Sequence, residues 1–170
     1  LAVSLQKKGF DVIVLESDAS FDSRAQGYGL TVQATDAMQA MGVDISGDDA
    51  PSTSHYTFSN EGEIIGFFGE AFGVKSKDRQ EMQNSGRFIH IPRQVLRQRI
   101  LEAVRPDTIR WSSKLKSYDD SEKDRVTVTL MDDTKIEGAL LIGSDGIFST
   151  VRRQLELPGD RLNYVGLCVV

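Results

Sequence analysis

Short apolar runs separated by polar turns dominate this sequence. Residues 139–143 (ALLIG) form an unbroken apolar run, which predicts a strand buried on both faces, as in a parallel sheet between helices. The polar turn Ser144-Asp145-Gly146 follows, and Ile147 and Val151 then share a helical spacing. Because ligands of open α/β sheets bind beyond the carboxyl ends of the strands, Asp145 is a candidate site residue. A simple helix cap is the alternative interpretation of this acid.

The first sixteen residues predict a helix, a glycine and an apolar strand, in that order. Residues 1–9 have helical spacing and end at a glycine, and residues 10–16 (FDVIVLE) predict a buried strand that closes on Glu16. This order is the second half of a βαβ nucleotide-binding unit, in which the acid after the strand binds a ribose. An ordinary solvated acid at a strand end explains Glu16 equally well.

The middle of the chain alternates between strand and helix patterns. A helix is predicted over residues 35–41, a hairpin over 55–68 and a long exposed loop over 70–87. A further helix is predicted after Pro92, with an apolar face formed by Val95, Leu96, Ile100, Leu101 and Val104. Alternating Val126, Val128 and Leu130 predict the centre of a β-meander that leads into residues 139–143. A further strand is predicted to begin at residue 164.

Two loop regions add basic and glycine residues to the candidate site. Gly27 and Gly29 suggest a backbone that passes close to a flat or bulky group, although a tight turn is the more economical explanation. Arg24 stands just before them, where a solvated arginine is the ordinary interpretation. Arg93, at the start of a predicted helix, is well placed to meet an anion at the positive helix end.

Composition narrows the function classes. The 170 residues are 39% hydrophobic and 26% charged, which is typical of a globular domain, and the net charge of −5 argues against nucleic acid as a partner. The single cysteine, Cys168, allows no internal disulfide and favours a reducing compartment such as the cytoplasm. No metal-ligand spacing surrounds His55 or His90, so we expect no metal. No apolar run reaches the ~20 residues of a membrane span, and membrane association of a longer protein stays open.

Three sequence pieces, in this order, resemble a known family. They are VIVLE (12–16) with RAQGYGL (24–30), IPRQVL (91–96), and LIGSDGIFSTVR (141–152). Together they resemble the FAD-dependent monooxygenases of the para-hydroxybenzoate hydroxylase type, with urate-hydroxylase-like and zeaxanthin-epoxidase-like relatives. The resemblance implies a Rossmann-like α/β FAD-binding fold, with a three-layer arrangement, a parallel sheet, a β-meander and part of an inserted β-rich substrate domain.

The resemblance also implies roles for individual residues. Glu16 would bind the adenosine ribose of FAD, the backbone of Leu115 would face the adenine, and Arg93 would approach the pyrophosphate and flavin. Arg24 and Gly29 belong to the loop that would pass near the flavin. Asp145 and Gly146 would organise the pyrophosphate. Because a carboxylate repels a phosphate, we expect Asp145 to act through Arg93 or water.

The same resemblance divides the chain into four segments. Residues 1–50 and 89–157 would belong to the FAD-binding domain, 51–88 to the inserted substrate domain, and 158–170 to the start of a further substrate-domain segment. The chain begins with leucine in a helical pattern, so we interpret it as a fragment. The family's Gly-rich turn would precede it and a Gly-Asp motif would follow it, and without both the fragment is not expected to retain FAD tightly.

The reaction expected of the intact protein follows from the family. NAD(P)H would reduce the flavin, O2 would add at flavin C4a as a hydroperoxide, and one oxygen atom would pass to a small organic substrate. No catalytic residue is assigned, because the cofactor performs the difficult chemistry. Three alternatives stay open: another FAD-dependent oxidoreductase of the same fold, such as a reductase or halogenase; a nicotinamide dehydrogenase; and a non-catalytic truncated module.

Overall fold

The computed structural model describes residues 1–24, 29–32, 35–48, 54–69, 89–163 and 165–166. Two compact units divide the chain: unit 1 contains Leu1–Val14 and Arg24–Thr108, and unit 2 contains Leu15–Ser23 and Ile109–Val170. The loop predicted at 70–87, Gly27 and Cys168 lie outside the described residues, as does most of the strand predicted from residue 164.

Helices and strands are interspersed along the chain. The helices are α1 (Ala2–Lys7), α2 (Thr35–Met41), α3 (Arg93–Glu102) and α4 (Thr150–Leu155). The strands are β1 (Val14–Leu15), β2 (Gly29–Val32), β3 (Ser54–Phe58), β4 (Ile64–Gly69), β5 (Ile89–Pro92), β6 (Ile109–Arg110), β7 (Leu115–Asp119), β8 (Val126–Leu130) and β9 (Lys135–Gly138). The order is that of an α/β protein, as the sequence predicts.

The core of unit 1 forms between one strand pair and two helices. Strands β2 and β5 are antiparallel, with Leu30 opposite Ile91 and Val32 opposite Ile89. Because side chains alternate between the faces of a strand, these four residues share one face of the pair. Ile91 is 1% exposed on that face. The core cluster consists of Val32, Val43, Ile45, Ile91 and Leu96, with Met38, Met41, Val95 and Ile100 packed around it.

The predicted hairpin is present in unit 1 as the antiparallel pair β3 and β4, in which Tyr56 lies opposite Phe67. The rings of Tyr56 and Phe58, two residues apart and therefore on one face, stack with centroids 6.2 Å apart. Phe58, Ile64 and Ile65 are exposed. The hairpin thus presents apolar side chains to solvent.

Strands β1 and β6 form a two-stranded sheet. The amide of Val14 donates to the carbonyl of Thr108 and the amide of Glu16 donates to the carbonyl of Arg110, at 2.8 and 2.9 Å. The partners advance in the same direction along both strands, so the pair is parallel. Parallel pairing of the strand that ends at Glu16 agrees with an α/β fold.

Unit 2 is built on the predicted meander. Strands β7, β8 and β9 form an antiparallel sheet in sequence order. Alternate residues of the central strand, Val126, Val128 and Leu130, are buried and form a cluster with Tyr118. Partly buried Leu15, Leu115, Ile136, Leu141 and Val151 pack against this cluster.

Two of the predicted strands differ from the structure. The strand predicted over residues 10–16 is limited to Val14 and Leu15, and residues 139–143 form no strand. Leu140 and Ile142 are 77% and 45% exposed, whereas Leu141 packs against the meander. Burial on both faces is therefore wrong for this run, because within the described chain only one of its faces has a packing partner.

The helical predictions agree more closely with the structure. Helix α1 is followed by Gly9 with a φ of +86°, and α2 is followed by Gly42 with a φ of +74°. In this left-handed region glycine is favoured over other residues.

Within the described residues, no helix is long and apolar enough to cross a membrane.

Candidate cofactor site

The carboxylate of Asp145 is held by the beginning of α4. Its Oδ1 accepts a hydrogen bond from Ser149 Oγ at 2.5 Å, and its Oδ2 accepts from the amides of Thr150 and Val151 at 2.6 and 3.2 Å. Ser149 Oγ in turn accepts from the amide of Arg152 at 2.9 Å. These bonds satisfy amides that have no partner within the helix. Asp145 is thus a cap of α4, the alternative that the sequence left open, and its cofactor role stays a prediction.

These hydrogen bonds control the ionisation of Asp145. Burial opposes the charged form, but the bonds from Ser149, Val151 and Thr150 outweigh burial and hold the pKa of Asp145 below its ordinary value. A lowered pKa in the folded state stabilises the fold above the unfolded pKa of about 3.9. That contribution is lost as the pH falls through the folded pKa.

Replacing Asp145 by asparagine tests this capping role. We expect Asp145→Asn to lower the free energy of unfolding by about 1 kcal/mol at pH 7, because an amide leaves one oxygen for three donors. The difference from wild type should shrink as the pH falls through the lowered pKa of Asp145, because the wild-type acid is then itself protonated. Urea denaturation at pH 7 and along a series of acidic pH values measures it. Exposed Asp120→Asn is the control, and the same pH dependence in both variants would contradict the capping role.

Two glycines shape the turn around Asp145. Gly146 has a φ of +79° and open space where a Cβ would lie. Gly143 is the opposite case, since a Cβ there would lie 2.9 Å from both Cβ and Cγ1 of Val151. Gly143 therefore permits α4 to pack closely on the segment before the turn, and Gly146 permits the turn itself.

Glu16 lies where the parallel strand β1 ends. Its Oε1 accepts from Ser17 Oγ and from the amide of Asp18, at 3.2 and 3.0 Å, and its backbone carbonyl accepts from the amide of Ser113 at 2.7 Å. The last bond places Glu16 beside the residues that lead into Leu115. The carboxylate is partly exposed and has a second oxygen with which to accept a hydroxyl.

The seven predicted site residues fall into two sets. Glu16, Leu115, Asp145 and Gly146 belong to unit 2, and Arg24, Gly29 and Arg93 belong to unit 1. In unit 1, Gly29 pairs with Pro92, which brings it beside Arg93, the first residue of α3. Arg24 is an exposed loop residue whose following four neighbours lie outside the described residues.

The residues of each set fit the chemistry of FAD. In unit 2 an acid at a strand end suits ribose hydroxyls, and the open space at Gly146 allows close approach of a bulky group. In unit 1 the ten-residue helix α3 begins at a cation, which suits a pyrophosphate. The Asp145 carboxylate already accepts from three donors of its own segment, so it suits an indirect role.

Unit 1 also contains a cleft in which an arginine side chain pairs with an aspartate. It measures about 400 Å³ and is lined by Asp44, Asp48, Arg99 and Glu102 among others. Arg99 Nε and Nη2 donate to the two carboxylate oxygens of Asp48 at 2.7 and 3.0 Å, and this bond keeps the pKa of Asp48 low. None of the predicted site residues lines this cleft.

Among the residues that the structure describes, no group of three or more His, Cys, Asp or Glu could hold a metal ion.

The sequence did not predict one contact in unit 2. The side-chain amide of Gln154, in α4, accepts from the backbone amide of Tyr118 at 3.0 Å and donates to the carbonyl of the same residue. No motif marks a glutamine that binds a strand edge, and only its position at the end of the LIGSDGIFSTVRRQ stretch could have drawn attention to it.

Comparison with known proteins agrees with this geometry. The family described as FAD binding domain matches residues 1–165. The chain is 31% identical over 160 residues to the chloroplastic zeaxanthin epoxidase of Arabidopsis thaliana, covering 91% of this chain and 24% of that protein. It is 30% identical over 178 residues to the dual O-methyltransferase/FAD-dependent monooxygenase CTB3 of Cercospora beticola, covering 100% of this chain and 20% of that protein. The chain thus spans about a quarter of the length of these curated relatives or less.

A solved structure shares the fold. Klebsiella pneumoniae HpxO, determined in complex with FAD and uric acid, superposes with a TM-score of 0.64 at 23% identity, over 90% of this chain and 37% of that one. The predicted α/β fold of FAD-binding type, with a parallel sheet and a β-meander, is confirmed. The resemblance of its motifs to the FAD-dependent monooxygenases is also confirmed. The chain belongs to the FAD binding domain family.

Proposed function

We propose that this chain is the FAD-binding part of an NAD(P)H-dependent flavoprotein monooxygenase that inserts one oxygen atom of O2 into a small organic molecule. The family match over residues 1–165 is the observation that carries the proposal. The names of the relatives support it, since CTB3 is called an FAD-dependent monooxygenase and HpxO binds FAD and uric acid in its crystal structure. The reaction belongs to the whole protein, of which this chain is one part.

The residues of the chain would bind and orient the cofactor. Glu16 would accept hydrogen bonds from the adenosine ribose, and the Leu115 backbone would face the adenine. In unit 1, Arg93 would neutralise the pyrophosphate. In unit 2, Gly146 would leave room for a bulky group and Asp145 would fix the turn. When bound, FAD supplies the redox chemistry, taking electrons from NAD(P)H and passing oxygen from O2 to the substrate.

The loop of Arg24 and Gly29 would lie on the flavin side, where this chain must also help to exclude water. The exposed apolar side chains of Phe58, Ile64 and Ile65 on the hairpin suit the lining of a site for an apolar substrate. The chain itself supplies binding and shape, so no proton transfer is assigned to any of its side chains.

Purification of the full-length protein tests the proposal. We expect bound flavin with its visible absorbance, and substrate-stimulated NAD(P)H oxidation that consumes O2 and yields oxygenated product. Oxidation of NAD(P)H without O2 uptake would favour the reductase alternative. A folded full-length protein that binds no flavin would contradict the proposal and favour a non-catalytic module.

Replacing Glu16 by alanine should weaken cofactor binding. A hydrogen bond to a charged group contributes about 1.5–3 kcal/mol, so we expect the FAD dissociation constant to rise roughly ten- to hundredfold. Fluorescence titration of the full-length apoprotein with FAD measures the constant. Glu63→Ala, which removes an exposed acid of the hairpin turn, is the matched control. An unchanged constant in a folded Glu16→Ala protein would leave Glu16 as a solvated strand-end acid.

A further inference from the structure

Helix α4 is joined to the meander by the side chain of Gln154. Strand β7 is an edge strand, with β8 on one side, so the backbone groups of Tyr118 that face away from β8 need another partner. Gln154 provides it: the side-chain oxygen accepts from the Tyr118 amide at 3.0 Å, and the side-chain nitrogen donates to the Tyr118 carbonyl. A single side chain thus satisfies both polar groups of one strand residue, as a neighbouring strand would.

The other end of α4 is fixed to the Asp145 turn. Asp145 accepts from Ser149, Thr150 and Val151, and Val151 packs against the backbone of Gly143. The helix has only six residues, so its two ends move together. The position of the Asp145 turn relative to β7 therefore depends on the contact of Gln154 together with the packing of Val151 against the meander.

We propose that Gln154 is a positioning residue for the adenosine and pyrophosphate half of FAD. Through Tyr118 and α4, it holds the Asp145 turn in register with the strand that carries Leu115, three residues before Tyr118. This inference rests on the proposed function, in which the turn and the Leu115 backbone contact that half of the cofactor. Cofactor affinity is sensitive to such alignment because displaced contacts lose their geometry while the desolvation cost persists.

Replacing Gln154 by methionine in the full-length protein tests the positioning role. Methionine has a similar length but makes neither hydrogen bond. We expect the dissociation constant for FAD to rise about tenfold, whereas that for FMN, which lacks the adenosine half, rises less than twofold. Fluorescence titration of the apoprotein with each flavin measures both constants. The matched control is Gln98→Met in α3, since within the described part of the chain the Gln98 side chain bonds Glu102 of its own helix, at 3.1 Å.

A second variant restores the contact by protonation. The protonated acid of Gln154→Glu has one donor and one acceptor and can replace the amide, whereas the ionised form has no donor and faces the Tyr118 carbonyl. We expect the FAD affinity of this variant to be about tenfold weaker than that of wild type at pH 8. It should approach the wild-type value as the pH falls through the pKa of the introduced acid, about 4.3 for an unperturbed glutamate, with wild type measured at each pH as the reference. The charged residues nearby in the chain have other partners: Arg153 bonds Thr150, Arg152 bonds Asp160, and Asp119 bonds Ser121.

The outcomes separate this inference from the proposed function. Equal weakening of FAD and FMN in Gln154→Met, or unchanged FAD binding, would overturn the positioning role, as would a Gln154→Glu protein without the pH dependence. If the wild-type full-length protein binds no FAD, the proposed function itself fails, and the positioning role fails with it. Selective loss of FAD affinity in Gln154→Met, with recovery of the Gln154→Glu protein as its acid is protonated, supports both.

Discussion

Replacement of Ile91 by alanine is expected to lower the free energy of unfolding by about 3 kcal/mol, the largest effect among the changes considered. Ile91 is 1% exposed and packs in the cluster with Val32, Val43, Ile45 and Leu96. Shortening its side chain removes buried apolar surface and leaves a cavity, because close-packed neighbours relax only partially. The same strand leads directly into Arg93, so this core also supports the start of α3.

Urea denaturation measures the loss at Ile91. The matched control is Ile65→Ala in the hairpin, since it makes the same chemical change at a residue that is 66% exposed. A change of less than about 0.5 kcal/mol is expected there. Equal destabilisation by the two substitutions would mean that burial at Ile91 does not hold unit 1 together.

Replacement of Gly143 by alanine is expected to lower the free energy of unfolding by about 2 kcal/mol through overpacking. The added methyl group would lie 2.9 Å from Val151 Cβ and Cγ1 and 3.3 Å from Cγ2. Since Val151 belongs to α4 and packs against the meander, the helix or the segment before Asp145 must shift. Thermal or urea denaturation of the variant measures the cost.

Two further variants distinguish overpacking from a general effect of alanine. Gly138→Ala in unit 2 should be nearly neutral, because the nearest atom is 3.9 Å from the added Cβ. Adding Val151→Ala to Gly143→Ala removes two of the three close contacts, so the double variant should be more stable than the sum of the single effects predicts. Strict additivity would argue against a clash between these residues.

Local periodicity was sufficient to predict most of the regular structure. The alternation of Val126, Val128 and Leu130 predicts the central strand of the meander, where all three are buried. The spacing of Val95, Leu96 and Ile100 likewise predicts the face of α3 that packs in unit 1. Both patterns succeed because one face of each element has a packing partner within the described chain.

Apolar runs without alternation were interpreted less accurately. Residues 139–143 and 10–13 have the composition of buried strands, but a strand also needs a hydrogen-bonded neighbour, which composition does not specify. In the structure, Phe10 and Leu140 are 59% and 77% exposed. The composition of these runs therefore indicates apolar surface without identifying what covers it.

The site was predictable to the extent that motifs determine it. The acid after β1 is where the sequence places it. The turn predicted at Ser144-Asp145-Gly146 lies slightly later, over residues 146–149, with Gly146 in the left-handed region and the Ser149 amide donating to the Gly146 carbonyl. Sequence alone did not distinguish a capping Asp145 from a cofactor ligand, since both uses need an acid before a helix. Gln154 and Gly143 were missed because their roles depend on contacts across unit 2.

The bond between Gln154 and Tyr118 has a consequence for amide hydrogen exchange. The Tyr118 amide proton is protected by a side chain of α4 rather than by a neighbouring strand, so its exchange rate reports release of the helix without opening of the meander. Amides bonded between β7 and β8 report opening of the sheet itself. A comparison of the two rates would therefore separate loosening of the Asp145 turn from unfolding of unit 2, residue by residue.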